Sequence, residues 1–281
     1  MEKTSTGITR RRFIQLLTVI PCTAVVPHTV HAVMAETGNY YLKHRDTLIE
    51  DFEKTNQGAY AYLKSKVTED KARQITKKAS AQFKNIVLRL PGVGGEQNDD
   101  TQYLIIGAWY LAYYRPMKEL NMDAEDVGRM IYDLNKVNLE HMPQRHALEE
   151  GDEKFSSEAE AKMKAWAEST QLRKYPGNWV AGFVKGNGDD FDFGYNYTEC
   201  ALCKFYNSQG TPELAPFVCL NDFIRSKRLN TGLDRIKTLG QGDDICNFRY
   251  KHGRPVTQSW NTEIVLILKR IKEGHVCTVP E

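Results

Sequence analysis

The sequence lacks a large net charge, and beyond residue 26 it lacks any long hydrophobic run. Its 38 lysines and arginines are nearly balanced by 36 aspartates and glutamates. Residues 1–35 hold four of the basic residues and one acidic residue, so the chain without them carries a net charge of −1. We therefore expect no nucleic-acid partner and no membrane span in the mature chain. Internal repeats and low-complexity segments are also absent, which excludes solenoid architectures.

The first 35 residues have the pattern of a twin-arginine signal peptide. Residues 10–14 read RRRFI, an apolar stretch follows over residues 16–26, and Ala32 and Ala35 each end a small-residue cleavage site. We expect export to the periplasm by the twin-arginine translocase, cleavage by signal peptidase, and no stable membrane span afterwards. An ordinary secretory signal that happens to contain three arginines is the alternative.

The remaining chain has the periodicity of an α+β fold. Apolar residues recur at three- and four-residue spacing from residue 40 to 170, which predicts helices interrupted by an irregular segment over residues 138–157. Alternating segments after residue 176 predict short antiparallel strands, at residues 179–185, 191–197, 233–239 and 245–251. We expect a helical N-terminal layer packed on a C-terminal α/β part.

Two helices of the C-terminal part are expected to carry cysteines. One would be capped by Thr198, and the other would run from Thr211 to about Leu229. Residues 263–271 fit a strand or a helix. We divide the chain into the signal peptide (1–35), a helical region (36–175) and a cysteine-rich α/β region (176–281), the last two forming one globular unit.

Five cysteines follow residue 35, and four of them lie between residues 200 and 246. Their odd number argues against a fully paired disulfide framework. Cys200 and Cys203 are three residues apart near an expected helix start, so their thiols share one face and the helix dipole favours the thiolate. Cys219 and Asp222 repeat this spacing on the next helix.

A thiolate is both a nucleophile and a metal ligand, so the cluster supports two interpretations. In one, the cysteines and Asp222 are catalytic. In the other, four thiolates hold zinc, another metal or an iron–sulfur cluster, or form a switching disulfide in a redox protein. The candidate metal ligands are Cys200, Cys203, Cys219 and Cys246. A non-enzymatic ligand-binding module is a third possibility, and a buried packing role suits Cys277.

Three segments of the second half carry a family resemblance. Residues 193–204 read FGYNYTECALCK, residues 213–222 read ELAPFVCLND, and residues 244–250 read DICNFRY. Together they resemble the L-2-amino-thiazoline-4-carboxylic acid hydrolase family, over nearly all of the mature chain. Asn247 departs from the acidic residue that the family pattern places after Cys246.

The resemblance implies hydrolytic opening of a small cyclic C–N/C–S substrate, such as 2-amino-thiazoline-4-carboxylate, to a carbamoyl-cysteine. For this chemistry we consider Asp222 as general base, or Cys200 or Cys203 as a covalent nucleophile, or a thiolate-held zinc with one open position. Cys246 completes the catalytic set.

Substrate binding is assigned to three further residues. Arg249 is the candidate for a bidentate pair with the substrate carboxylate. Thr198 and Glu199 directly precede Cys200 and are expected to contact the substrate.

Overall fold

The structure is a computed structural model that describes residues 40–278. The predicted signal peptide lies outside the described residues. The helices are α1 (Arg45–Lys64), α2 (Glu69–Ile86), α3 (Thr101–Lys118), α4 (Ala124–Glu140), α5 (Gln144–Glu153), α6 (Ser157–Thr170), α7 (Ala201–Ser208), α8 (Ala215–Cys219), α9 (Asn221–Leu229) and α10 (Trp260–Lys272). The strands are β1 (Val180–Lys185), β2 (Phe193–Glu199), β3 (Leu233–Asp234) and β4 (Cys246–Tyr250). No helix among residues 40–278 is long and apolar enough to cross a bilayer.

The N-terminal layer consists of amphipathic helices packed around α3. Thr68 caps α2 by accepting a hydrogen bond from the backbone N–H of Lys71, and Asp123 caps α4 within a capping box. Helix α3 is apolar on most of its surface and is buried accordingly, with Tyr110 and Tyr113 fully enclosed. The predicted helical layer is confirmed.

The segment that we expected to be irregular, residues 138–157, is largely helical. Helix α4 continues to Glu140, and α5 occupies Gln144–Glu153. Helix α5 buries small residues, Ala147 and Gly151, where it packs against α9. Because small residues contribute little to hydrophobic periodicity, the helix escaped the prediction.

The C-terminal part contains a four-stranded antiparallel sheet in the order β1-β2-β4-β3. The strands predicted at residues 179–185 and 191–197 are present as β1 and β2, which pair as a hairpin. In the β2–β4 register Tyr197 pairs with Cys246 and Phe193 pairs with Tyr250, so aromatic side chains cover one face. The α+β prediction is confirmed. Strand β3 has only two residues, shorter than expected, because the N–H groups of Ile236 and Lys237 bond to the Asn247 side chain instead of continuing the ladder.

The two predicted cysteine-bearing helices have different bounds from those expected. Strand β2 continues through Thr198, and α7 begins only at Ala201. The expected helix from Thr211 to Leu229 is divided into a 3₁₀ turn and two helices, α8 and α9. The undecided segment, residues 263–271, is part of helix α10.

One hydrophobic core joins the two halves of the described chain. Phe52 of α1 stacks on Phe83 of α2 at 4.5 Å between ring centroids, and Phe217 of α8 stacks on Trp260 of α10 at 5.8 Å. The hydroxyl of Tyr206 in α7 donates a hydrogen bond of 2.8 Å to the carbonyl of Gly107 in α3. The cysteine-bearing helices are thereby anchored to the N-terminal layer.

Candidate functional site

Cys200 occupies the junction between β2 and α7, where it is the N-cap residue with extended backbone angles (φ −124°, ψ 121°). Its thiol makes no regular capping hydrogen bond, but it faces several donors. The Cys203 thiol lowers the pKa of Cys200 most; the backbone N–H groups of Cys203 and Leu202 and the indole of Trp179 add to this effect against burial. Cys200 is therefore the thiol of the cluster that is poised to ionise.

Cys203 lies in the first turn of α7 and is buried, at 3% exposure. Its pKa is raised well above the ordinary value, because it contacts the thiols of Cys200 and Cys277 and is removed from water. Asn207 holds Cys277 in place: its amide donates to the Cys277 carbonyl at 2.8 Å and faces the Cys277 sulfur at 3.5 Å. Cys203 is thus a protonated thiol that donates towards Cys200.

Lys204 connects α7 to the loop that precedes β1. Its ammonium group donates to the carbonyls of Pro176 at 2.8 Å and Asn178 at 2.9 Å, and it forms an ion pair of 2.5 Å with Glu199. These bonds fix the loop that leads into Trp179. Lys204 was not among the predicted site residues.

The side chains of Glu199 and Thr198 contact other groups of the protein. Burial opposes ionisation of Glu199, but Lys204 and Arg173 together hold the pKa of its carboxyl below the ordinary value. The Thr198 side chain is exposed, and its hydroxyl faces the carbonyl of Val180 at 3.5 Å. Glu199 is engaged in two ion pairs, so it orients Lys204 rather than offering a free carboxylate.

Cys219 and Cys246 form a second pair of thiols around Thr238. The Thr238 hydroxyl lies 3.6 Å from the Cys219 sulfur and 3.5 Å from the Cys246 sulfur, and the Leu239 N–H donates to Cys246 at 3.2 Å. Burial raises the pKa of Cys219, and burial together with the nearby Cys200 raises that of Cys246 to about 11. Both thiols are protonated at neutral pH.

Asp222 of α9 forms an ion pair with Arg235, which follows β3. The Arg235 guanidinium is 3% exposed, donates to the Asp222 carboxylate at 2.5 Å and to the Cys219 carbonyl at 3.0 Å, and lies between the rings of Phe223 and Phe248 at 4.8 and 4.9 Å. The charges of Arg235, Asp222 and Cys200 all act on Cys219. The Asp222 carboxylate and the Cys200 thiol are thus both close enough to Cys219 for their charges to act on it.

Arg249 does not lie in this region, contrary to our expectation. Residues 246 and 249 are separated by an odd number of positions along β4, so they point to opposite faces of the sheet. The Arg249 guanidinium donates to the carbonyl of Phe248 at 2.8 Å and to the side chain of Asn196 at 2.9 Å. Arg235, and not Arg249, places its guanidinium beside the cysteines, where it bonds to the Cys219 carbonyl.

Asn247 lies on the same outer face and has a backbone-binding role. Its side-chain oxygen accepts hydrogen bonds from the N–H groups of Ile236 at 3.1 Å and Lys237 at 2.7 Å. A carboxylate oxygen of an acidic residue would accept the same bonds. The departure from the family pattern at this position therefore leaves the cysteine region unchanged.

The structure does not support the predicted tetrathiolate metal site. Cys203 contacts Cys200 and Cys277, whereas Cys219 and Cys246 meet at Thr238. In the part of the chain that the structure describes, no three histidine, cysteine, aspartate or glutamate side chains are arranged to hold a metal ion. The described cysteines are free thiols.

Two tyrosines, Tyr103 and Tyr197, lie close enough to Asp222 and Asp100 to feel the charges of both carboxyls. Tyr103 of α3 is 43% exposed and the side chain of Asp222 is 41% exposed, yet burial raises the pKa of both because protein surrounds their other sides. The charges of Asp100 and Asp222 both act on Tyr103 and on Tyr197. The two carboxyls therefore share an electrostatic neighbourhood with these tyrosines.

Asp100 was missed in the sequence, where it resembles a loop residue before α3. One of its carboxyl oxygens is buried without a hydrogen-bond partner. Burial raises the pKa of Asp100 to about 7, Asp99 adds to the shift, and the Trp166 indole opposes it. Nothing in the spacing of the sequence indicates that Asp100 and Trp166 meet.

Comparison with known proteins adds a family assignment to this geometry. The profile of the L-2-amino-thiazoline-4-carboxylic acid hydrolase family matches residues 100–250, more than half of the chain. The match extends from the start of α3 to the end of β4 and includes Cys200 and Asp222. No curated protein and no solved structure matched the chain. The chain belongs to the L-2-amino-thiazoline-4-carboxylic acid hydrolase family.

Proposed function

We propose that the protein is a hydrolase that opens a small cyclic substrate with adjacent C–N and C–S bonds, such as 2-amino-thiazoline-4-carboxylate, to a carbamoyl-cysteine. The observation that carries the proposal is the position of Cys200 at the start of α7, facing backbone N–H groups and the Trp179 indole, with its pKa below that of an ordinary thiol. Such surroundings are typical of nucleophilic cysteines.

The proposed reaction has two steps. The Cys200 thiolate attacks the ring carbon bonded to sulfur and to both nitrogens, and the ring C–S bond breaks as the sulfur leaves. Water then attacks the same carbon, and the bond to Cys200 breaks to regenerate the thiolate. The water oxygen becomes the carbamoyl oxygen; one of its protons ends on the product sulfur and the other on the former ring nitrogen.

Asp222 is the general base that we assign to the water step. Burial raises the pKa of its carboxyl above the ordinary value, while the adjacent Arg235 favours the ionised form; a carboxylate with a raised pKa is a stronger base. Since Arg249 faces away, we assign the substrate carboxylate to Arg225, whose charge acts on both Tyr103 and Asp222 and whose guanidinium already pairs with Glu150 through one nitrogen.

The test is release of a thiol from 2-amino-thiazoline-4-carboxylate, with the carbamoyl-cysteine identified by mass. We expect Cys200→Ser to lower the rate by about 10³-fold or more. The matched control is Cys277→Ala, a buried cysteine outside the proposed machinery, which should keep most of the activity. Thiol release that persists undiminished in Cys200→Ser would reject the covalent route, and no release by the wild-type protein would reject this substrate.

The proposed place of action is the periplasm. This part of the proposal rests on the RRRFI pattern and the short apolar stretch that follows it in the sequence. The twin-arginine translocase and signal peptidase would then be the partners during export.

A further inference from the structure

Cys200 and Cys203 are neighbours across the first turn of α7. Cys200 is the N-cap residue, and Cys203 is the third residue of the helix. Residues three apart lie on one helix face, and each of these thiols shifts the pKa of the other. The two sulfurs can therefore be joined without unwinding the helix.

The two thiols differ in access to solvent. Cys200 is half-buried, whereas Cys203 is enclosed beneath it. A disulfide reagent from solution can reach Cys200 alone, and the depressed pKa of Cys200 makes it the attacking thiolate. Cys203 is then placed to attack the sulfur of Cys200 from within the protein.

We propose that Cys200 and Cys203 form a redox site that closes to an intramolecular disulfide by exchange with a small disulfide such as oxidised glutathione. In the first step the Cys200 thiolate attacks the small disulfide, its S–S bond breaks, and one thiolate leaves. In the second step Cys203 gives up its proton and attacks the Cys200 sulfur, which expels the second thiolate. The dithiol loses two electrons and two protons, and the small disulfide is reduced to two thiols.

The consequence for catalysis rests on the proposed function. Closing the disulfide removes the Cys200 nucleophile, so the hydrolase is active only when the pair is reduced. Cys219 and Cys246 are each held by the Thr238 hydroxyl, whereas Cys203 follows Cys200 on the same helix; a bridge from the 186–204 peptide to Cys219 or Cys246 would therefore also overturn the proposal. Cys277 touches Cys203 but is buried at 1% exposure, so it cannot receive the reagent first.

The chain offers a direct readout of the pair. Trypsin cleaves after Lys185 and Lys204, and the resulting peptide, residues 186–204, contains Cys200 and Cys203 as its sole cysteines. The full-length protein is equilibrated in glutathione buffers of increasing oxidised fraction, quenched with acid, alkylated and digested. We expect this peptide to convert from a doubly alkylated form to an unalkylated form lighter than the dithiol by two hydrogen atoms.

Variants separate the two steps. Cys203→Ser should hold glutathione on Cys200 as a lasting mixed disulfide, Cys200→Ser should leave Cys203 unmodified, and Cys277→Ala should close the disulfide as the wild type does. A glutathione adduct that persists in the wild type, or a bridge from the 186–204 peptide to Cys277, would overturn the proposal.

Activity is measured in the same samples. We expect hydrolysis to fall by at least about tenfold as the disulfide forms and to return on reduction by dithiothreitol. If the disulfide forms but the reduced protein hydrolyses nothing, the redox site stands and the proposed function fails. If the reduced protein is active and the peptide stays doubly alkylated throughout, the redox site is rejected and the hydrolase stands.

Discussion

Among single residues, Cys200 and Cys203 show how local surroundings separate two identical side chains. The N-cap position exposes Cys200 to unpaired backbone N–H groups, which stabilise a negative sulfur. One turn further, Cys203 has no such donors and is buried beside two other thiols. The same helix thus lowers the pKa of one thiol and carries another whose pKa is raised.

This asymmetry predicts the pH dependence of alkylation. Iodoacetamide should modify Cys200 with a midpoint below the ordinary thiol pKa, because the thiolate forms at lower pH. Cys203→Ala removes the largest stabilising contact, so the midpoint should move to higher pH. The measurement is the alkylation rate of residue 200 by mass spectrometry, with Cys277→Ala as control. An unchanged midpoint in Cys203→Ala would contradict the role of the Cys203 thiol.

The raised pKa of Asp100 predicts that the free energy of unfolding depends on pH. Its native pKa is raised from 3.8 to about 7, so the folded chain retains a proton that the unfolded chain loses between these values. Stability from this group is therefore present below about pH 4 and is lost as pH rises through about 7.

The test compares Asp100→Asn with the wild type by thermal unfolding. The variant should unfold at a higher temperature than the wild type at pH 8, and the gain should vanish at pH 4. Asp234→Asn, at an exposed position of β3, is the control and should show no gain. An equal gain at both pH values would mean that Asp100 is ionised in the folded protein.

At the scale of elements, the contact between α5 and α9 depends on one missing side chain. A Cβ added at Gly151 would lie 1.8 Å from the backbone oxygen of Leu229. No rotamer relieves a clash with backbone, so the two helices would have to separate. Because α9 also carries Asp222, this contact helps to set the position of the proposed base.

Gly151→Ala should therefore destabilise the protein even though alanine favours helix by about 1 kcal/mol. We expect a net loss of about 2 kcal/mol in the free energy of unfolding, typical of overpacking, measured by urea denaturation. Gly182→Ala is the matched control, since its Cβ would meet no atom within 4 Å. A neutral or stabilising Gly151→Ala would show that α5 moves freely against α9.

Elements with strong periodicity were predictable from the sequence, and those set by tertiary contacts were not. The three- and four-residue spacing of apolar residues before residue 138 and the alternation over residues 179–185 and 191–197 predicted helices and strands that are present. Helix α5 escaped because its buried residues are small. The start of α7 was placed too early, at Thr198, because pairing with Val180 and its neighbours in β1 extends β2 through Glu199.

The candidate site was predictable only in part, for the same reason. The spacing of Cys200 and Cys203 placed both thiols on one helix face, as observed. Alternation along β4 already implied that Arg249 points away from Cys246. Arg235 and Asp100 could not be predicted as site residues, because their partners are distant in the sequence and become neighbours only in the folded chain.

At the scale of the whole molecule, the helices that precede the family match belong to the same core. Phe52 and Phe83 lie outside residues 100–250, yet Phe52 also stacks on Tyr113 of α3 at 5.4 Å. The side chain of Asn56 in α1 accepts a hydrogen bond of 3.0 Å from Tyr113. The site is therefore supported by helices that the family profile does not include.

Export of the whole chain is tested with residues 1–40 fused to a reporter. Changing Arg10, Arg11 and Arg12 to lysine preserves the charge and should abolish export, since the twin-arginine route requires the arginines. A host without the translocase should give the same loss. Export that continues in the lysine variant would assign the segment to the ordinary secretory route.

The contact between Trp179 and Cys200 has an optical consequence. A thiolate beside an indole quenches its fluorescence, whereas a thiol does so weakly, so the emission of Trp179 should dim as Cys200 ionises and brighten when the sulfur is blocked. Trp109 and Trp260 lie on other elements and supply a constant background, whereas Trp166 adjoins Asp100 and responds to the charge of that carboxyl. The fluorescence of Trp179 thus reports the ionisation of the Cys200 sulfur, on which the proposed chemistry depends.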